Sequence, residues 1–136
     1  MNKIENTLAL IKDEFSIFSD PRDKYVYLVD LAKDTKGLNE DERIEENRIQ
    51  GCTSQAWVIK QKRDDQLYFK TDSDAMIVKG LLSLIERSFN GHFSHEIIKI
   101  DGSKFLESVG LDRAISSQRT NGFSNAINKI QKELLG

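Results

Sequence analysis

Apolar side chains recur at Ile4, Leu8, Ile11, Phe15 and Phe18, the spacing of a helix that buries one face. Asp20-Pro21 then supplies an N-cap and a proline at the first helical position, which predicts a second helix at a new angle. Its inward face is Tyr25, Leu28, Val29 and Ala32, and Gly37 marks its end. The acidic run over 40–46 reads as a solvated connector. From Ser54 the period changes to two. Ala56, Val58 and the aliphatic stem of Lys60 alternate with Gln55, Trp57, Ile59 and Gln61. Arg63-Asp64-Asp65-Gln66 is a polar turn and Leu67-Tyr68-Phe69 opens a second strand, so a hairpin is predicted. Arg48-Ile49 offers one more short strand. Asp72-Ser73-Asp74 ends the hairpin and is placed to cap the helix that follows. That helix carries Val78, Leu81, Leu82, Ile85 and Phe89 on one face and stops at Asn90-Gly91. Short helical pieces follow at 96–98 and 104–109. Ser116-Ser117 opens a last helix with Phe123, Ile127, Ile130 and Leu134 inward. The order predicts an α+β domain over 1–136, a small antiparallel β-sheet packed against several helices.

At 136 residues, with 38% hydrophobic and 31% charged positions, the chain can bury a core without covalent staples. Its formal net charge of −2 argues against nucleic-acid binding driven by phosphate neutralisation. No apolar run approaches the ~20 residues of a membrane span. The start, Met1-Asn2-Lys3-Ile4-Glu5, lacks the apolar core of a secretory leader and the basic character of a transit peptide. The expected compartment is the cytoplasm, where an unpaired thiol stays reduced.

That thiol is the most informative residue. Cys52 is the only cysteine, in Asn47-Arg48-Ile49-Gln50-Gly51-Cys52-Thr53-Ser54-Gln55-Ala56-Trp57. Alone it cannot form an intrachain disulfide, a zinc ribbon or a four-thiolate cluster site. A buried, inert cysteine is the common alternative. Here, however, the Gly-Cys-Thr-Ser turn exposes backbone N–H groups, which favour a thiolate or persulfide anion, although a free cysteine with a pKa of ~8.5 needs help from a partner to deprotonate. Arg48 and Arg119 are candidate cationic neighbours. His92 and His95 have no third ligand at metal-like spacing, and a Cys–His dyad lacks any thiol-protease signature around it. Asp72 and Asp74 fit helix capping better than paired acid–base chemistry. An interior helical glycine costs ~1 kcal/mol against alanine, so Gly80 implies close approach of another backbone, the Cys52 loop being one candidate. Trp57 reads as a packing anchor.

Three blocks carry a resemblance: the Cys52 segment above, Asp72-Ser73-Asp74-Ala75-Met76-Ile77-Val78-Lys79-Gly80-Leu81, and Arg119-Thr120-Asn121-Gly122. Glu40-Asp41-Glu42-Arg43 and the Asp20-Pro21-Arg22-Asp23-Lys24-Tyr25 start of helix two also fit. The chain resembles the SufE family of cysteine-desulfuration proteins along nearly its whole length. The resemblance implies a fold like the IscU-type cluster scaffolds, with one cysteine where the scaffolds have three. It implies that Cys52 takes persulfide sulfur from a pyridoxal-phosphate (PLP) cysteine desulfurase, SufS- or CsdA-like. Cys52 then passes that sulfur to an iron–sulfur scaffold complex, SufBCD-like, and the desulfurase is stimulated. Arg48, Gly51, Ser54, Asp74 and Arg119 are expected to support the loop or meet the partner. No metal and no cofactor is expected on this chain itself, the PLP residing on the desulfurase, and no independent turnover.

Two other classes compete with the carrier. A regulatory module would dock on the desulfurase without carrying sulfur. A redox sensor would form a sulfenic acid at Cys52 but has no resolving cysteine. A carrier should also shelter its persulfide. Gly51 would allow a tight loop, Trp57 and small neighbours would give cover, and the run over 40–46 is a candidate docking strip.

Overall fold

The computed structural model describes residues 3–135. Met1 and Asn2, part of the N-terminal reading above, lie outside the described residues, as does Gly136. Helix α1 spans Lys3–Phe15 and buries Ile4, Leu8, Ile11 and Phe15. Phe18 lies beyond its end, with its ring 5.1 Å from that of Tyr27. Helix α2, Pro21–Lys33, starts as the sequence predicts: the Asp20 carboxylate accepts from the Arg22 N–H, and Pro21 occupies the first turn. Leu28 and Ala32 are fully inside, while Tyr25 and Val29 pack half-buried against the core.

Gly37 is not the helix end. The cap is Asp34, and Gly37 lies in the left-handed region at φ +77 against the Asp72 carboxylate, where a Cβ would sit 2.8 Å from Oδ2. The acidic run folds as two 3₁₀ turns, Glu40–Glu42 and Glu45–Asn47, and two of its carboxylates are paired within the chain, Glu42 with Lys70 at 3.1 Å and Glu45 with Arg48 at 3.6 Å.

Strands β1, Ala56–Arg63, and β2, Gln66–Ser73, form the antiparallel hairpin, in register from Ala56 opposite Ser73 to Arg63 opposite Gln66. Asp64 and Asp65 both have positive φ, 52 and 71, as a two-residue type I′ turn requires. The predicted alternation holds only in part. Trp57 is buried along with Ala56 and Val58, and Lys60 is exposed. Trp57 is covered because the Arg43 guanidinium lies 5.6 Å from its ring and Arg48 bridges to it across the sheet edge. The predicted extra strand at Arg48-Ile49 is that bridge, held by the Ile49 N–H donating to the Ala56 carbonyl at 2.8 Å.

Helix α3, Met76–Phe89, is the centre of the fold. It buries Ile77, Leu81, Leu82, Leu84, Ile85 and Phe89, far more than one face, because α2, β2 and α1 all pack around it. Gly80 lets α2 approach: a Cβ there would overlap the carbonyl oxygen of Leu28. The expectation that the Cys52 loop makes this approach is corrected. Helices α4, Ser94–Ile97, and α5, Phe105–Ser108, are short links. Helix α6, Ser117–Leu135, buries Phe123, Ala126, Ile127 and Ile130. The rings of Phe69, Phe89, Phe105 and Phe123 follow one another at 6.1, 6.2 and 5.0 Å, tying β2 through α3 and α5 to α6. Among the described residues no helix is long and apolar enough to cross a membrane.

Candidate functional site

The connection from Ile49 to β1 carries Cys52 and is fastened at three points. At its start, Gly51 has φ +83 and faces the Asn125 amide of α6, which any Cβ would strike. The positive φ and the close approach both require glycine. In the middle, the Cys52 thiol donates to the carbonyl oxygen of Gly122 at 3.5 Å. Gly122 makes room for it: a Cβ would lie 3.1 Å from Sγ. At the far end, the Gln55 N–H donates to Asp74 Oδ1 at 3.0 Å, and the Gln55 carbonyl accepts from the Asp74 N–H at 3.1 Å and the Ser73 hydroxyl at 2.7 Å.

The thiol forms part of the wall of a small apolar cavity of about 20 Å³, room for roughly one water-sized atom. Val78, Leu81, Leu82 and Phe123 close its inner side, and Thr53, Ser54, Gln118 and Arg119 lie at its outer side. Thr53 and Gln118 are exposed, Cys52 half-buried. The cavity therefore opens between the cysteine loop and the first turn of α6.

The backbone dipoles expected to favour a thiolate or persulfide anion do not dominate here. Burial pushes the Cys52 thiol above its ordinary pKa, and the charge of Arg48 opposes this without overcoming it. Desolvation disfavours the charged form, and the bond to the Gly122 carbonyl uses the S–H as donor. Both the burial and this bond favour the S–H form.

Of the residues singled out from sequence, Gly51 and Asp74 frame the loop and Ser54 and Arg119 line the cavity. Arg48 lies outside it but its field reaches the sulfur. Arg119 turns its guanidinium over Tyr25, 6.0 Å from the ring centroid. Trp57 does not line the cavity; the cover comes from α3 and α6. Neither aspartate caps α3, whose N-cap Ala75 has no side-chain cap bond. Asp72 is instead buried, its side chain 1% exposed, with Arg43 Nη2 at 2.6 Å and Lys79 Nζ at 3.9 Å. It also accepts from the N–H groups of Leu38 and Ser73. Burial alone would raise its pKa, but the bonds from Leu38, Arg43 and Ser73 outweigh it and hold the carboxyl below the usual range. His92 pairs with Glu96 at 3.3 Å and His95 stacks on Phe93. Among the described residues no three His, Cys, Asp or Glu side chains are grouped to hold a metal ion.

Gly122, Gln118, Phe123 and Asn125 were missed as parts of the site. Gly122 did carry a signal, as an interior glycine in a predicted helix, of the same kind that singled out Gly80.

Residues 9–134 match the SufE family, described as an Fe-S metabolism associated domain. A SufE-like protein of Rhizobium meliloti is 35% identical over 96% of this chain and 96% of its own length. One from Synechocystis is 32% identical over 94% of this chain and 80% of its own. The chain is also 31% identical to SufE-like protein 1, chloroplastic/mitochondrial, of Arabidopsis thaliana, covering 89% of this chain and 33% of that longer protein. The solution structure of a hypothetical protein from Thermus thermophilus shares the fold, with a TM-score of 0.75 at 16% identity over 98% of this chain and 93% of that one.

Proposed function

Because the chain belongs to the SufE family of Fe–S metabolism, we propose that Cys52 accepts sulfur from the persulfide of a PLP-dependent cysteine desulfurase. It then delivers that sulfur to an iron–sulfur scaffold complex. The observation that supports this most is the lone thiol beside a cavity with room for one further atom. A carrier needs one nucleophilic sulfur, space for the sulfur it gains, and cover from solvent thiols. The Cys52 loop supplies the first, and α3 and α6 beside it supply the space and the cover.

In the transfer, Cys52 Sγ loses its proton and attacks the outer sulfur of the donor persulfide. A new S–S bond forms on Cys52 as the donor's S–S bond breaks. The electron pair leaves on the donor thiolate, which takes up a proton. The outer sulfur moves without net oxidation or reduction, and delivery to an acceptor thiol repeats the step in reverse roles. The raised thiol pKa leaves the resting chain a poor nucleophile, because the thiolate is the reacting form. Docking must therefore move the loop off Gly122 and aid deprotonation. Arg48 is the cation of this chain that acts in that direction.

The alternative is a regulator that docks without carrying sulfur. Desulfurase turnover on free cysteine, measured with the wild-type chain and with Cys52→Ser, separates the two. A carrier loses its stimulation with the sulfur atom while still binding. Stimulation retained by Cys52→Ser would replace the carrier with the regulator.

A further inference from the structure

We infer that the shallow cleft on α2 formed by Pro21, Arg22, Tyr25, Val26 and Ala114 is the seat of the sulfur-donating desulfurase, receiving an apolar side chain of the donor. This rests on the carrier reading, which requires a donor thiol at the mouth of the Cys52 cavity. The inner wall of that cavity is core: Leu81, Leu82 and Phe123 are all nearly inaccessible. A donor can come only from the side of Thr53, Ser54, Gln118 and Arg119. Arg119 joins the mouth to the cleft, since it lines the first and lies over the ring of Tyr25, which lines the second.

The cleft has a volume of about 260 Å³, and Val26 within it is 58% exposed. Val26 lies outside the core cluster. A stable protein interface covers about 800 Å² on each partner, so a donor centred on the mouth extends onto the neighbouring surface. The composition on the cleft side also fits an interface centre. Aromatic and arginine side chains are enriched there around apolar pockets, and here Tyr25 lies under the Arg119 guanidinium with Val26 beside it in the cleft. The donor surface that matches is an apolar side chain with one carboxylate beside it for Arg119, since Arg22 is held by Asp20 at 3.0 Å. The competing strip, the acidic run, has Glu42 and Glu45 paired within the chain, so Glu40 and Asp41 are the positions that would carry docking there.

The test is the dissociation constant of the full-length chain with a cysteine desulfurase by titration calorimetry, with the Cys52 mass gain followed in parallel. Val26→Glu and Val26→Ala should weaken binding, the first by tenfold or more, at unchanged thermal stability. Leu10→Glu, at a 64% exposed position on α1, should stay within twofold of wild type, as should Glu40→Lys/Asp41→Lys. Wild-type affinity in both Val26 variants, weakening by the Glu40/Asp41 pair instead, or no binding by the wild-type chain would overturn the assignment. Binding that depends on Val26 without any mass gain on Cys52 would keep the docking surface and remove the carrier reading. Mass gain with binding indifferent to Val26 would do the opposite.

Discussion

The thiol of Cys52 lies 3.5 Å from the carbonyl oxygen of Gly122, and the space for that approach is the side chain that Gly122 lacks. A loop residue and a helix residue seventy positions apart thus define the resting state of the sulfur. The loop is held on α6 by this bond and by the fit of Gly51 against Asn125, while its far end is tied to Asp74.

Gly122→Ala tests that seat. Alanine favours the helix by about 1 kcal/mol, while its Cβ would press Sγ at 3.1 Å. The loop, rather than the helix, is expected to yield. Thermal stability should change by less than about 1 kcal/mol, while alkylation of Cys52 by iodoacetamide should run several times faster than in wild type. Equal labelling would show that the seat does not restrain the thiol.

Asp74→Ala removes the acceptor for the Gln55 N–H. A lost hydrogen bond of this kind costs about 1 kcal/mol, and it should appear as a freer loop. Amide exchange at Gln55 and alkylation at Cys52 should both accelerate, and Asp74→Asn, which keeps an acceptor oxygen, should restore most of the protection.

The pH dependence of labelling follows from burial. Since the folded environment raises the thiol pKa, the thiolate population lags behind that of an unfolded cysteine, whose pKa is ~8.5. The alkylation midpoint in the native chain should lie above that of the denatured chain. Arg48 lowers the pKa, so Arg48→Ala should move the midpoint further upward. In stability terms the native contribution is full below the unfolded pKa and declines as pH rises through the folded one.

Asp72 gives the opposite sign. Its folded pKa is depressed, so its contribution is present above the unfolded value of ~3.9 and is lost as pH falls through the folded one. Asp72→Ala leaves Arg43 and the Leu38 N–H without their acceptor. It should cost about 3 kcal/mol, the low end for breaking a buried pair because Arg43 is half-exposed. The penalty should shrink toward acid pH, and urea unfolding at two pH values measures it.

Much of this architecture was legible because it is local. The periodicity of α1, α2 and α6 named their buried faces, Asp20-Pro21 named a helix start, and Arg63-Asp64-Asp65-Gln66 named the turn of the hairpin. What was hidden is which faces meet. Gly80 signalled a close approach, but only the folded chain shows that Leu28 makes it and that Gly122 receives Cys52. Asp72 and Asp74 lie where caps belong, yet the half-exposed Arg43 and a loop amide claim them. Backbone dipoles around the thiol suggested a thiolate, and the burial that reverses this comes from α3 and α6, remote in sequence.

The measurement closest to the central claim is the intact mass of the chain after incubation with a cysteine desulfurase and free cysteine. The wild-type chain should gain ~32 Da, one sulfur on Cys52 as a persulfide, the gain should vanish on treatment with dithiothreitol, and Cys52→Ser should show none. An unchanged wild-type mass while the desulfurase turns over, or an equal gain on Cys52→Ser, would contradict Cys52 as the sulfur carrier.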